Sequence, residues 1–281
     1  MITAVALITS TPILTHVISS QDGDSVTAVT SLGDDVFVAR FSSQQVEVYD
    51  ALTLKLKHLL AVSGLGAWPT GLAACPNNNC LYASDFYNDH VHRVELSGSN
   101  AVKKWSVARG PVGLSVNAEH NLIVACCKVN KLQEYTTHGS LVREIRLKAG
   151  VIWPCHAIQL STGDYVVSQN TSPGVVSVVG VDGQVVHRYG QSQTSDMGQM
   201  KGPASLAVTK NGNMLVSDKD NNRILLINSS LGSIQELALS VAVDGGIQQP
   251  KGLCLDESRG RLYVGEQGGA HRVLVFDGVR L

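Results

Sequence analysis

Charge is scarce in this sequence. Asp, Glu, Lys and Arg make up 16% of the 281 residues, and 22 basic against 23 acidic side chains leave a net charge of −1. A chain this weakly charged yet 44% hydrophobic is not a disordered tail, a coiled coil or a charged filament. Its overall field draws neither nucleic acid nor anionic membrane from a distance. A run of about eighteen apolar residues is missing, so no membrane span is expected. The apolar start, Met1 to Ile8, lacks the basic segment of a secretory signal and continues into another strand-like run. Cysteine is too sparse for a disulfide framework in a chain of this length. Cys75, Cys80, Cys126, Cys127, Cys155 and Cys254 are expected as free thiols in a reducing, cytoplasmic setting. Cys75 and Cys80 are a separate case, because they flank Pro-Asn-Asn-Asn and would face each other across a hairpin, within disulfide reach.

What the chain has is glycine, 27 residues of it, and many Val, Leu, Ser and Asn, which favour short strands and tight turns over helices. One phrase recurs: a Pro, an aliphatic strand, a turn, then a second strand ending in a small or polar residue. It begins at Pro69, Pro111, Pro154, Pro203 and Pro250, at intervals of 42, 43, 49 and 47 residues, with a copy lacking the Pro at Val26 to Val29. Asn- and Gly-containing turns separate the strands, and a third and fourth strand follow in most units. Four antiparallel strands in each of six such repeats predict an all-β, six-bladed β-propeller in one domain, 1–281. The blades are expected at approximately 25–67, 68–108, 109–152, 153–200, 201–249 and 250–281. The last unit is one strand short, and the chain has surplus residues ahead of the first. Residues 13–19 are therefore expected to supply the outer strand of the last blade and to close the ring.

Within this pattern, NGNMLVSDKDNNRI at residues 211–224, LYASDFYNDHVHRV at 81–94 and LYVGEQGGAHRVLVF at 262–276 resemble the NHL repeat. Three further blades are worn, with Arg40, Cys126 and Gln169 near the position of the acid. The recurring acid and Arg, read as Asp85 with Arg93, Asp218 with Arg223 and Glu266 with Arg272, are expected to be structural tethers: a carboxylate ending the second strand accepts from loop amides and from an Arg. The resemblance implies a recognition module like the C-terminal domain of tripartite-motif (TRIM) proteins, which selects protein substrates for a ubiquitin ligase. Some relatives of that kind bind RNA instead. No RING or B-box ligand pattern occurs in these residues, so binding would be the whole function.

Two enzyme groups among similar propellers give a test. Zinc-dependent amidating lyases place His on several innermost strands, whereas here His156 is matched by Ala28, Gly71, Gly113, Ser205 and Gly252, and zinc needs three or four N, S or O ligands. Calcium-dependent lactonases need converging carboxylates, and these strands are mostly Ala, Leu, Val, Gly and Cys. No Gly-x-Ser-x-Gly elbow occurs, and the Gln- and Ser-rich string Gly190 to Gly198 lacks the spacing of a phosphate cradle. The expectation is a non-catalytic protein with no metal, no cofactor and no catalytic residue, monomeric as this segment.

The loops between second and third strands, with the lead-ins to the first strands, gather on one propeller face. That face is expected to carry Phe41, Trp68, Phe86, Tyr87, Arg109, Lys128, Lys131, Trp153, Lys201 and Lys219. Aromatics beside cations anchor recognition surfaces; Trp68 and Trp153 could equally wedge between blades. Counting Arg40 and Lys251 with the other cations against Asp85, Asp89, Asp218, Asp220 and Glu266 leaves an excess of about two positive charges. Protein or peptide recognition is ranked first, RNA second, and a small-molecule hydrolase or lyase third.

Overall fold

The second strand of each unit is an unbroken apolar run such as Leu122-Ile-Val-Ala-Cys, and such a run is stable only when both of its faces are covered. The computed structural model of the protein, which describes residues 11–19, 23–148, 150–171, 173–190, 199–228, 232–240 and 243–281, supplies that cover. The segment Met1 to Ile8 and most of the Gly190 to Gly198 string lie outside the described residues. Six four-stranded antiparallel sheets form the fold.

The first blade comprises β2 (Val26–Leu32), β3 (Asp35–Arg40), β4 (Gln45–Asp50) and β5 (Leu56–Ala61), and the second β6 (Pro69–Cys75), β7 (Cys80–Asp85), β8 (His90–Glu95) and β9 (Val102–Ser106). The third is β10 (Pro111–Val116), β11 (Leu122–Cys126), β12 (Lys131–Tyr135) and β13 (Leu141–Arg146). The fourth is β14 (Pro154–Gln159), β15 (Tyr165–Gln169), β16 (Val175–Val179) and β17 (Val185–Tyr189), and the fifth β18 (Pro203–Val208), β19 (Met214–Asp218), β20 (Arg223–Ile227) and β21 (Ile234–Glu236). The sixth combines β22 (Pro250–Asp256), β23 (Arg261–Glu266) and β24 (Val273–Asp277) with β1 (Ile13–Ile18) as its outer strand. Helix among the described residues is confined to two single 3₁₀ turns, Cys127–Val129 and Lys219–Asn221.

The innermost strands β2, β6, β10, β14, β18 and β22 touch in that order and back to the first, so the sheets stand radially around a channel. Side chains alternate along a strand, and each second strand therefore serves two interfaces. Ile123 packs with Ala157 and Val167 of the fourth blade, whereas Val124 packs with Tyr82 and Ala73 of the second. Six buried clusters result, one at each blade boundary. The small polar residue near the end of several second strands ties neighbouring blades: the hydroxyls of Ser84, Ser168 and Ser217 donate to the carbonyls of Val112 (2.7 Å), Ala204 (2.6 Å) and Lys251 (3.4 Å).

The hub leaves almost no room for side chains. A Cβ on Gly71 would stand 2.2 Å from the carbonyl oxygen of Val112, and one on Gly113 would stand 2.4 Å from that of Cys155. The glycines that fail to match His156 are therefore there because backbones of adjacent blades approach closely. Cys75 and Cys80 are Cα partners across the β6–β7 hairpin, and both are buried free thiols.

Candidate functional site

The tether residues define how the face is held. Asp218 is fully buried and accepts from the amide of Lys201 (2.6 Å), the side chain of Asn221 (2.8 Å) and Nε of Arg223 (2.7 Å). Glu266 accepts from the amide of Gln248 (2.8 Å) and from Arg272 (2.7 Å). The expected Asp85–Arg93 pair is not made, and this corrects the sequence reading. Asp85 is the direct Cα partner of His90, so residue 93 lies on the opposite face of β8. Arg93 pairs with Glu95 at 2.9 Å, and His92 stands 3.6 Å from Asp85 in its place.

The role itself extends to all six blades with changed chemistry. Asp85 holds the amide of Gly66, Gln133 that of Ala108, Gln169 that of Ile152, Asp218 that of Lys201 and Glu266 that of Gln248. Each captured amide lies two or three residues ahead of the Pro that starts the blade. The first blade inverts the polarity: Arg40 donates to the carbonyl of Asp24 at 3.0 Å and is itself held by Glu47 at 2.8 Å. The lead-in loops are thus fixed by buried polar anchors, and they frame the channel mouth.

On that frame, Trp68 centres an aromatic cluster. Its ring centroid lies 5.2 Å from Phe41, 5.4 Å from Phe86 and 5.0 Å from Tyr87. Lys128 sits over the Phe86 ring, 4.2 Å from its centroid, a cation–π contact. Trp153 lies across the mouth, and Trp68, Phe86, Cys127, Trp153, Asn170, Lys219, Lys251 and Gln267 line a cup of about 240 Å³. Phe41, Tyr87 and Trp153 are 42%, 63% and 52% exposed, and Trp68 and Phe86 are half-buried; the two tryptophans are walls of the cup. Arg109 and Lys201 are exposed, whereas Lys131 is paired with Glu144 at 2.7 Å and Lys219 with Asp220 at 3.3 Å. Arg40 is buried in its pair with Glu47, so the cationic excess counted from the sequence is not free on this face.

Below the cup, Thr70, Val112, Cys155, Ala204 and Lys251 form a neck shared with the narrow channel. These are the residues that directly follow the Pro of each repeat, and aligning the repeats on that column would have found them. Lys251 is its one charged member; the sequence reading used it only in the charge count. The Lys251 amine is held below its ordinary value by desolvation, against an opposing contribution from Cys155 and with a smaller one from the Lys219 ammonium in the lowering direction. Burial pushes the Cys155 thiol up to about 11, so it is protonated at neutral pH. No group of three His, Cys, Asp or Glu side chains arranged to hold a metal occurs among the described residues.

His156 uses both ring nitrogens as a staple across three blades. Its Nδ1 accepts from the Leu206 amide at 3.0 Å, and its Nε2–H donates to the Leu114 carbonyl at 2.9 Å. Burial lowers its pKa from 6.5 to about 4, because protonation would charge a desolvated ring and turn Nδ1 into a donor facing a donor. The folded value lies below the unfolded one, so the contribution is fully present above pH 6.5 and is lost as pH falls towards 4. Unfolding free energy is expected to drop by up to about 3 kcal/mol over that window. Buried His92, also shifted down, acts in the same direction. Urea midpoints measured across that range check this: His156→Gln should flatten the slope, and an unchanged slope would remove His156 as its source.

No family model matches the chain, and no curated protein matches it in sequence. Solved structures do share its fold. A chain of hydrazine synthase from Kuenenia stuttgartiensis is 22% identical with a TM-score of 0.65, covering 94% of this chain and 79% of that one. Streptogramin B lyase is 14% identical with a TM-score of 0.64, covering 93% and 96%. Virginiamycin B lyase from Staphylococcus aureus is 12% identical with a TM-score of 0.66, covering 92% and 97%. At these identities the likeness is one of fold. It corrects the expectation of a non-catalytic protein to this extent, that hydrazine synthase and the two lyases, which share this fold, are enzymes. Searching for contiguous motifs is a weak test in a ring, where one residue from each blade, more than forty positions from the next, converges on the same mouth.

Proposed function

We propose that the channel mouth is the small-molecule site of a hydrolase- or lyase-type propeller. Its ligand lays an apolar or aromatic body against Trp68, Phe86 and Trp153 and directs a polar group to the neck at Lys251. The observation that carries this reading is the cup itself: a concavity of about 240 Å³ with aromatic walls and an amine at its floor, the combination of apolar lining and few placed polar groups that small-molecule sites use. An adjoining recess of about 280 Å³, lined by Phe41, Trp68 and Gln267, gives room for a second substituent. A short peptide is the second ligand class, favoured by the exposure of Phe41, Tyr87 and Trp153, since exposed rings beside a pocket take peptide side chains.

Trp153 supplies the test. It sits at φ +49° directly before Pro154, where the third and fifth blades have Gly110 at +72° and Gly202 at +63°. A bulky residue in the left-handed region costs roughly 1–2 kcal/mol. Trp153→Gly is expected to leave stability unchanged or raise it by about 1 kcal/mol, while weakening ligand binding at least about ten-fold. Intrinsic tryptophan fluorescence is titrated with aromatic esters, lactones, short peptides and quinupristin, the compound bound by the inactive lyase variant, and turnover of each is followed. Saturable quenching that Trp68→Ala and Trp153→Gly weaken supports the site. The absence of quenching by every compound, or quenching that both variants retain in full, overturns it.

A further inference from the structure

We infer that Lys251 is a nucleophilic amine that condenses reversibly with the carbonyl of an aldehyde or ketone ligand seated in the cup, an inference that rests on the cup being a small-molecule site. Four observations carry it. Lys251 lines both the cup and the channel below, at the neck where the two meet, so a ligand against the aromatic wall meets this side chain. The amine has no carboxylate partner among the described residues, in contrast to Lys57 with Asp35, Lys131 with Glu144 and Lys219 with Asp220. The backbone beneath it is fixed, because the Lys251 carbonyl accepts from Ser217 and Pro250 pairs with Glu266 across β22 and β23. Its neighbours at the neck, Thr70, Val112, Cys155 and Ala204, bring no formal charge, and the nearby Lys219 ammonium opposes a second positive charge. A desolvated amine beside another cation is the environment that keeps a lysine neutral and nucleophilic near neutral pH.

The other candidates at the neck and in the channel below it are occupied or inert. His156 has both nitrogens in interblade hydrogen bonds, and the Cys155 thiol is held protonated by burial. In the proposed step the lone pair of neutral Nζ forms a C–N bond to the carbonyl carbon, and an Nζ proton passes to the oxygen, giving a carbinolamine. Loss of water then gives the imine, and addition of water reverses the sequence. No oxidant or reductant takes part.

The test treats the full chain at pH 7 with 2-naphthaldehyde and sodium cyanoborohydride, which reduces any imine to a stable secondary amine, and reads each lysine by peptide mass spectrometry. Lys251 is expected to be labelled at least about ten-fold faster than any other lysine. Lys219→Met should slow that labelling at pH 7, because the opposing ammonium is gone, and the difference between the two proteins should narrow as the pH is raised. A preference for Lys251 below ten-fold, or a faster lysine elsewhere, overturns the inference. Binding of 2-naphthylmethanol, which has no carbonyl, is measured in parallel by tryptophan quenching in the wild type and Lys251→Met. Quenching without selective labelling removes the reactive amine and leaves the cup standing. Selective labelling without quenching by the alcohol keeps the amine and removes the aromatic cup as the binding site.

Discussion

A chain shortened to begin at residue 20 is expected to lose about 4–6 kcal/mol of stability, melting about 10–20 °C lower or aggregating before it melts. The estimate follows from what β1 does. It pairs with β24 from Ile13↔Asp277 to Ile18↔Val273, and Thr15 on its bulge donates to Asp277 at 3.0 Å. Leu14 and Val17 pack against the cluster between the fifth and sixth blades, and Ile18 is buried in the one between the sixth and first. The same segment reaches the fifth blade, with the Leu14 amide donating to Ser240 and the Ser240 amide to Pro12. Without it, β24 becomes a bare strand edge beside apolar surface, and such an edge recruits other chains. Scanning calorimetry and light scattering of the shortened chain check this. A synthetic peptide of residues 11–19 should restore the melting temperature by strand addition. An unchanged monomer without the peptide would mean that the ring is held by its inner strands alone.

Asp218→Ala is expected to cost about 3–5 kcal/mol, because it removes one member of a buried, hydrogen-bonded ion pair and strips the Arg223 guanidinium of its nearest carboxylate. The Lys201 amide and Asn221 side chain lose their acceptor as well. Asp35→Ala is the control: its pair with Lys57 is similarly short at 2.6 Å, but the side chains are 34% and 42% exposed, and exposed pairs contribute about 0–1 kcal/mol. Chemical denaturation of both variants separates the cases, and equal losses would refute the role given to burial. Pairing Asp218→Ala with Arg223→Met should recover part of the loss, since the stranded charge is then gone. The anchor also bears on function: Lys201 leads into Gly202, which lines the cup, so ligand affinity should fall with stability in Asp218→Ala and not in Asp35→Ala.

The three acid and Arg signatures show where reading the residues in order succeeds and where it stops. At Asp218 and Arg223 the pair is local, spanning one tight turn between directly opposed residues, and spacing suffices to infer it. At Asp85 the turn is equally long but the position opposite is His90, the Arg stands three residues further along β8, and the strand's alternation puts His92 on the side of Asp85 and Arg93 on the other, so the pairing changes. The worn blades look broken in sequence, yet Gln169 carries the anchor from the position of the acid, Gln133 carries it from the next strand where Cys126 cannot, and Arg40 inverts it by donating to a loop carbonyl. A hydrogen bond to a loop amide asks for an oxygen at one point in space, which side chains of different length and origin can supply. Lys251 escaped notice for a related reason: a lysine after a proline is unremarkable until five other chain segments are placed around it.

The number of blades, the order of strands and the strand that closes the ring were readable from the chain alone. Each follows from a short pattern, apolar runs, turn residues and the recurring Pro, repeated at intervals of 42 to 49 residues, and local patterns survive without knowledge of neighbours. The cup, the desolvated amine at its floor and the interblade staple at His156 were decided by the tertiary structure. They depend on closing the sheets into a circle, which brings residues from separate blades within contact distance and withdraws Lys251 and His156 from water.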